Sequence, residues 1–265
     1  MLIDAFTFFN EFDMLEARLE YLDKIVDYFI VVECDHTHAG NPKELNFPKQ
    51  IARYQKYLHK LMYLPLSIDP TKYDFTKPKN TDYSAGQWVL ENQQRNYIMH
   101  GLKFFYGDAF VLISDVDEVP TIETVKSAML EYKPEMVAVG CGQEMFWYNF
   151  KRKEVNIWSG TVMTKAHKVM ELTPEWFRGY RVEFPKLMKG YHMTYFMEVE
   201  KIKHKIENFA HQELNQDVYT NEQLIQERIT KGLEPFERHG VTLIPVDPSS
   251  IDSEIYRIFN KVPKT

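Results

Sequence analysis

Glycine is scarce in this chain of 265 residues, with 11 in all, and cysteine is scarcer still, with 2. The shortage of glycine suits sheet cores and stacking platforms better than glycine-rich loops. Cys34 and Cys141 cannot build the disulfide framework of a small secreted domain, so two reduced thiols in a reducing compartment are expected. A basic excess is also missing: 32 Lys and Arg face 38 Asp and Glu, a formal net charge of −6. Without a basic stripe to follow a phosphate backbone, no nucleic-acid partner is expected. The longest apolar runs, such as Phe29 to Val32 and Ala109 to Ile113, fall far short of the ~18 residues a membrane-spanning helix needs. The start, Met1-Leu2-Ile3-Asp4, lacks the basic and apolar regions of a signal peptide. A soluble, cytoplasmic protein is therefore expected.

Aromatic residues, in contrast, are plentiful, with 18 Phe, 16 Tyr and 4 Trp. Hydrophobic residues at 44% and charged residues at 26% are ordinary for a globular protein. The length suffices for a real core in one large domain or two small ones. Strand patterns at Leu2 to Phe9, Tyr28 to Glu33, Leu61 to Leu66 and Ala109 to Ile113 alternate with helical patterns at Asp13 to Leu22, Gln50 to Lys60, Ser84 to Leu102 and Thr121 to Tyr132. This βαβα order implies a mostly parallel sheet with helices on both faces. A polar connection runs from Ser67 to Asp82, where Pro70 and Pro78 break any helix. The second half reads as strands over Met136 to Phe150, Val155 to Trp158 and Thr161 to Thr164. Mixed strand and loop follow from Val182 to Phe196, helices over Glu198 to Phe209 and Asn221 to Lys231, and a last strand over Val241 to Val246. No linker separates these parts, so one α/β domain spanning 1–265 is expected.

The segment from Ala109 to Pro120 carries the clearest chemistry. A buried strand ends in Asp115 and Asp117, with Glu118 adjacent, and side chains two apart share a face if the chain stays extended. Bunched carboxylates are unfavourable unless a cation or hydrogen bonds offset them. Oxygen ligands of this kind suit Mg²⁺ or Mn²⁺. Ligand crevices of open α/β sheets lie beyond the carboxyl ends of strands, where this cluster falls. An acidic loop capping the helix near Thr121 is the plainer alternative. Among enzymes, Asp-x-Asp phosphohydrolases fit the string, but their motif normally sits on the first strand, and no later Gly-Asp-x-x-x-Asp pair is found. Nucleotide-sugar glycosyltransferases put Asp-x-Asp in mid-chain after a nucleotide-binding half, which is the layout here.

Several blocks together resemble glycosyltransferase family 17. They are Asp4 to Glu11, Asp27 to Glu33, Thr37 to Lys43, Trp88 to Asn96, the acidic Ser114 to Pro120, Gly190 to Phe196 (with Tyr191 replacing the tryptophan of a Gly-Trp-His block) and Phe209 to Glu213. Their order from residue 4 to about 213 makes the set more specific than any single member. The resemblance implies a GT-A fold and inverting transfer of a sugar, GlcNAc from UDP-GlcNAc in characterised members, to a saccharide acceptor. Residues 1–120 would bind the nucleotide sugar and 121–265 the acceptor. A protein that binds a nucleotide sugar without turnover is a further alternative, disfavoured by the intact Asp115 and Asp117.

Inverting transfer is one displacement, in which a base takes the acceptor's proton and the departing diphosphate gains charge. A divalent ion is expected on Asp117, with Asp115 on the ribose or on metal-bound water, and with His211 as an added ligand because GT-A enzymes often supply a late histidine. Asn10, Glu11 and Glu33 end strands and are candidates for the nucleotide, Glu33 equally for capping a loop. Arg95 would contact phosphate or the acidic motif, or pair within its helix with Glu91. Trp88 reads as core. Gly190 permits close backbone approach ahead of His192. Glu200, at the opening of a helix where a carboxylate is favoured, is the first choice of base, with Glu213, Glu144 and His192 as other catalytic candidates. One of Lys201, Lys203 and Lys205 is a candidate for phosphate, and Phe146, Trp147 and Tyr148 for a sugar platform.

Overall fold

Alternation along β1 (Leu2–Thr7) sends Leu2 and Phe6 to one face of the sheet and Ile3 and Ala5 to the other, all of them buried. In β2 (Tyr28–Cys34), Phe29 and Val31 oppose Ile30 and Val32, and in β4 (Phe110–Asp115), Leu112 opposes Val111 and Ile113. Strands apolar on both faces need cover on both. Helix Phe12–Leu22 supplies Leu15, Leu19 and Leu22 to the first face, joined by Ile255, Ile258 and Phe259 of the C-terminal helix Ser253–Phe259. The short helix Ile98–Leu102 covers the second face.

The structure is a computed structural model that describes residues 1–76 and 83–262. Pro78 of the expected polar connection lies outside the described residues. The remaining strands are β3 (Leu61–Leu66), β5 (Glu118–Pro120), β6 (Val139–Trp147), β7 (Arg152–Lys165), β8 (Lys186–Thr194) and β9 (Leu243–Pro245). They form one sheet in the order β3-β2-β1-β4-β7-β6-β8-β5, with β9 beside β7. The first four strands in that order are parallel, as the βαβα pattern implies. Beyond β4 the sheet is mixed: β7 is antiparallel to β4 and β6, while β8 runs parallel to β6 and antiparallel to β5.

Two expectations need correction. The two strands expected over 155–164 are one 14-residue strand, β7. Gly160 does not interrupt it, because the absent side chain leaves room for the Gln143 amide from β6. The helix expected over 84–102 is two, Gly86–Asn96 and Ile98–Leu102. Helices Ala166–Leu172 and Pro174–Gly179, not anticipated at all, lie between β7 and β8.

Only Val116 and Asp117 separate β4 from β5, although three strands stand between them in the sheet order. A two-residue link cannot span three strand spacings of ~4.8 Å in a flat sheet. The path β4-β7-β6-β8-β5 therefore curls back on itself and closes at the acidic turn.

Candidate active site

The chain steps outward from β1 to β2 and β3, then returns to β4 on the other side of β1. Open α/β sheets hold ligands at such a switch point, beyond the carboxyl ends of the strands. There the structure has a cavity of about 580 Å³, lined by Thr7 at the end of β1 and Phe8 and Glu11 beyond it, His36 and His38 after β2, Asp115 at the end of β4 and Asp117 after it. That volume lies within the roughly 300–1,000 Å³ usual for small-molecule sites. Its opposite wall comes from Trp147 of β6, Trp158 of β7, His192 of β8 and Lys205 of helix Val199–Asn208.

A buried arginine sets the shape of the acidic turn. Arg18, on helix Phe12–Leu22, donates to both oxygens of Asp4 at 2.8 and 2.7 Å. Its third arm donates to the Glu118 carbonyl at 2.6 Å and to the Val116 carbonyl at 3.3 Å. The turn's carbonyls are thus drawn inward, and its carboxylates face the cavity and the space beneath it. Glu118 goes beneath, with no exposure. Its carboxylate accepts from Trp158 Nε1 at 2.8 Å, Arg178 Nη1 at 2.8 Å and the Asp115 amide at 3.0 Å.

Asp115 and Asp117 do not continue one extended strand, because β4 ends at Asp115, yet both line the cavity. Asp115 accepts from Arg178 Nη2 at 2.8 Å and from Arg95 Nη2 at 3.2 Å. Burial alone would raise its pKa, but these two guanidinium groups outweigh it and hold the carboxyl well below the usual range. Asp117 lies 3.4 Å from Lys205 Nζ and 3.5 Å from His192 Nε2. Here too burial is outweighed, by Lys205 and His192, and the pKa is lowered. In return Asp117 raises the pKa of His192 against the opposing effect of burial. Nδ1 of His192 is buried without a partner.

The other expected site residues divide. Glu11 lines the cavity and pairs with Lys205 at 3.0 Å. Arg95 lies 3.2 Å from Asp115 and 2.8 Å from Glu91, and it also binds Glu175. Asn10 is half-buried, and its amide oxygen is enclosed without a partner away from the main cavity. Glu33 is fully buried and accepts from the amides of Asn46 and Phe47, Tyr63 Oη and Lys43 Nζ. Of its two readings, the geometry is that of a carboxylate tying down the loop after β2.

Glu200 is exposed on helix Val199–Asn208 and is not part of the cavity wall, because the helix turns Ile202 and Ile206 inward and Glu200 outward. Glu213 bonds Nδ1 of His211 at 2.7 Å and is likewise not part of the wall. Glu144 pairs with Lys153 at 2.6 Å. Trp88 is not core: it is half-buried on the wall, edge-on to His211 with ring centres 4.7 Å apart. Of the aromatic run, Phe146 is core, Tyr148 is buried, and Trp147 alone lines the cavity.

Sequence reading missed Arg18, Arg178, Arg181, Glu175 and Trp158. Arg178 and Glu175 come from the unanticipated helix Pro174–Gly179, and no periodicity marks so short an element. Arg181 lies over the Trp158 ring at 5.1 Å and donates to the carbonyls of Ser159 and Arg178. Among the described residues it has no carboxylate within ion-pair distance.

The side chains as arranged do not fit a divalent ion. Among the described residues no three His, Cys, Asp or Glu side chains gather as a metal-binding group. The expected set of Asp115, Asp117 and His211 is not assembled: arginines hold Asp115, Lys205 and His192 flank Asp117, and His211 is held by Glu213. Cys34 and Cys141 are free and buried. Among the described residues no helix is long and apolar enough to cross a membrane.

Known proteins share this sequence pattern. The β-1,4-mannosyl-glycoprotein 4-β-N-acetylglucosaminyltransferases of Rattus norvegicus and Homo sapiens are each 26% identical to it over 129 residues, 46% of this chain. The match spans only 22% of the length of these curated relatives. Among solved structures, the mannosyltransferase PcManGT of Pyrobaculum calidifontis, in complex with GDP-Man and Mn²⁺, is 14% identical with a TM-score of 0.39, covering 64% of this chain and 46% of its own. Glucosyl-3-phosphoglycerate synthase of Mycobacterium tuberculosis, in complex with Mn²⁺, UDP and phosphoglyceric acid, is 14% identical with a TM-score of 0.28, covering 56% and 43%. The sequence profile of glycosyltransferase family 17 matches residues 1–239, and the chain belongs to that family.

Proposed function

We propose that this protein transfers a sugar, GlcNAc from UDP-GlcNAc, to a saccharide acceptor with inversion at the anomeric carbon. The observation that carries the reading is the cavity at the β1/β4 switch point, with Asp115 and Asp117 on its floor and Trp88, Trp147 and Trp158 on its walls. The nucleoside would occupy the side formed by Phe8, His36 and His38, in the half of the chain up to residue 120. Its diphosphate would meet Arg181, the wall guanidinium without a carboxylate partner among the described residues. The acceptor would enter past Trp147 and Trp158 on the opposite wall.

In the displacement, the acceptor oxygen bonds to the anomeric carbon as the bond to the diphosphate breaks. His192, whose pKa Asp117 raises against the opposing effect of burial, would donate to the departing diphosphate. The acceptor's proton passes to a wall carboxylate outside the acidic turn, which leaves Glu91 and Glu175 beside the Lys205-paired Glu11, since Glu200 and Glu213 are not on the wall. The acidic pair already has cationic partners, so side chains of this chain would meet the charge of the departing diphosphate.

Calorimetry with UDP-GlcNAc, UDP-Glc, UDP-Gal and GDP-Man, followed by assay of UDP release on a panel of saccharides, tests the reading. One UDP-sugar should bind, and an acceptor should accelerate UDP release. Inorganic phosphate as the released product would favour a phosphohydrolase instead, and failure of all four donors to bind would overturn the proposal.

A further inference from the structure

Lys205 sits against the acidic motif, between Glu11 and Asp117. Its ammonium lies 3.0 Å from Glu11 Oε1, just before helix Phe12–Leu22, and 3.4 Å from Asp117 Oδ2, in the turn after β4. The Tyr195 ring centre is 5.7 Å away. The side chain is 19% exposed and lines the cavity. Its helix is fixed by the fully buried Ile202 and Ile206, so the ammonium is delivered from a rigid element rather than a loop.

We infer that Lys205 is a built-in counter-ion that replaces a divalent metal at the acidic turn, so that a nucleoside diphosphate binds here without metal. A second cation on Asp117 would sit against the ammonium and be repelled by it. The other motif carboxylate, Asp115, is held by Arg95 and Arg178. Lys205 and Arg181 then offer the diphosphate fixed positive charge from two sides of the cavity. The charge that lowers the barrier to diphosphate departure comes from the chain, with no ion to capture first. The assignment rests on the donor reading above for its ligand, and on the Lys205 contacts for its chemistry.

The test uses UDP as probe, titrated by calorimetry in EDTA and again in Mn²⁺, with Mn²⁺ alone followed by electron paramagnetic resonance. Wild type should bind UDP equally in both buffers, within about twofold, and hold no Mn²⁺ by itself. Lys205→Met should lose about tenfold or more in EDTA, the scale of one charge-assisted hydrogen bond. It should also bind Mn²⁺, read as loss of the free-ion signal, because Glu11 and Asp117 then lose the ammonium between them. Lys205→Arg, which keeps the charge, should retain binding in EDTA, and a thermal melt of each variant separates lost charge from lost fold. A wild-type affinity that rises tenfold with Mn²⁺, or Lys205→Met binding UDP like wild type in EDTA, would overturn the inference. If UDP binds nowhere, the donor reading fails, and the Mn²⁺ signals of wild type and Lys205→Met still decide whether Lys205 excludes the ion.

Discussion

Arg18 and Asp4 form a bidentate ion pair in which neither side chain has any exposure, and the same guanidinium holds the Glu118 carbonyl at 2.6 Å. The pair links the first helix and the first strand to the turn that carries Asp115 and Asp117, so folding of the core and shaping of the site are one event. Removing one partner strands a charge in the core. Arg18→Met should destabilise the fold by about 3–5 kcal/mol, read by urea unfolding. Arg18→Met combined with Asp4→Leu should recover part of that, because no charge is then left behind. A single-variant cost under about 1 kcal/mol would show that the pair is dispensable.

Glu33 offers a contrast in kind. Its oxygens serve the amides of Asn46 and Phe47, Tyr63 and Lys43, and none faces the cavity. Glu33→Gln should lower stability by about 1–3 kcal/mol while leaving UDP-sugar affinity within about twofold of wild type. The checks are a chemical melt and a calorimetric titration of the same sample. A loss of affinity without a loss of stability would return Glu33 to the nucleotide site.

Gly190 is where β8 passes β5 at closest range. A Cβ there would stand 2.4 Å from the Val119 carbonyl oxygen and 2.7 Å from Pro120 Cα, both backbone atoms that cannot rotate away. The same pairing sets Glu118 opposite His192. Gly190→Ala should therefore cost about 1–3 kcal/mol and shift His192 relative to Asp117, lowering turnover. A variant with wild-type stability and turnover would mean the two strands separate freely.

His192 should titrate above the ordinary histidine value of ~6.5, since Asp117 raises its pKa against the opposing effect of burial. Its folded pKa is raised, so its contribution to stability is complete below the unfolded value and is lost as pH rises through the folded one. Ring-nitrogen NMR across that range should show a raised midpoint that falls in Asp117→Asn. A midpoint at or below the ordinary value in wild type would remove His192 as a proton donor at neutral pH.

The parallel half of the fold and the placing of the acidic motif at its edge were legible because both are local. Continuous apolar strands such as Tyr28–Cys34 and Phe110–Asp115 announce themselves within a few residues, and Asp115 and Asp117 follow directly in sequence. The antiparallel half was less legible. β7 runs through Gly160, whose lack of a side chain has meaning only beside Gln143. Helix Pro174–Gly179 is too short to show a period, so Arg178 and Glu175 went unseen.

Hydrophobic period and residue identity need no partner to be read, so an α/β chain with a mid-chain pair of carboxylates follows from the residues alone. What those carboxylates meet is set by the fold. The curl that joins β4 to β5 brings Arg18, Arg178, His192 and Lys205 to one turn from four separate stretches of chain. It also turns Glu200 to solvent and Lys205 to the cavity from a single helix. Electrostatic partnership acts through space, and no spacing along the chain encodes which cation reaches which acid.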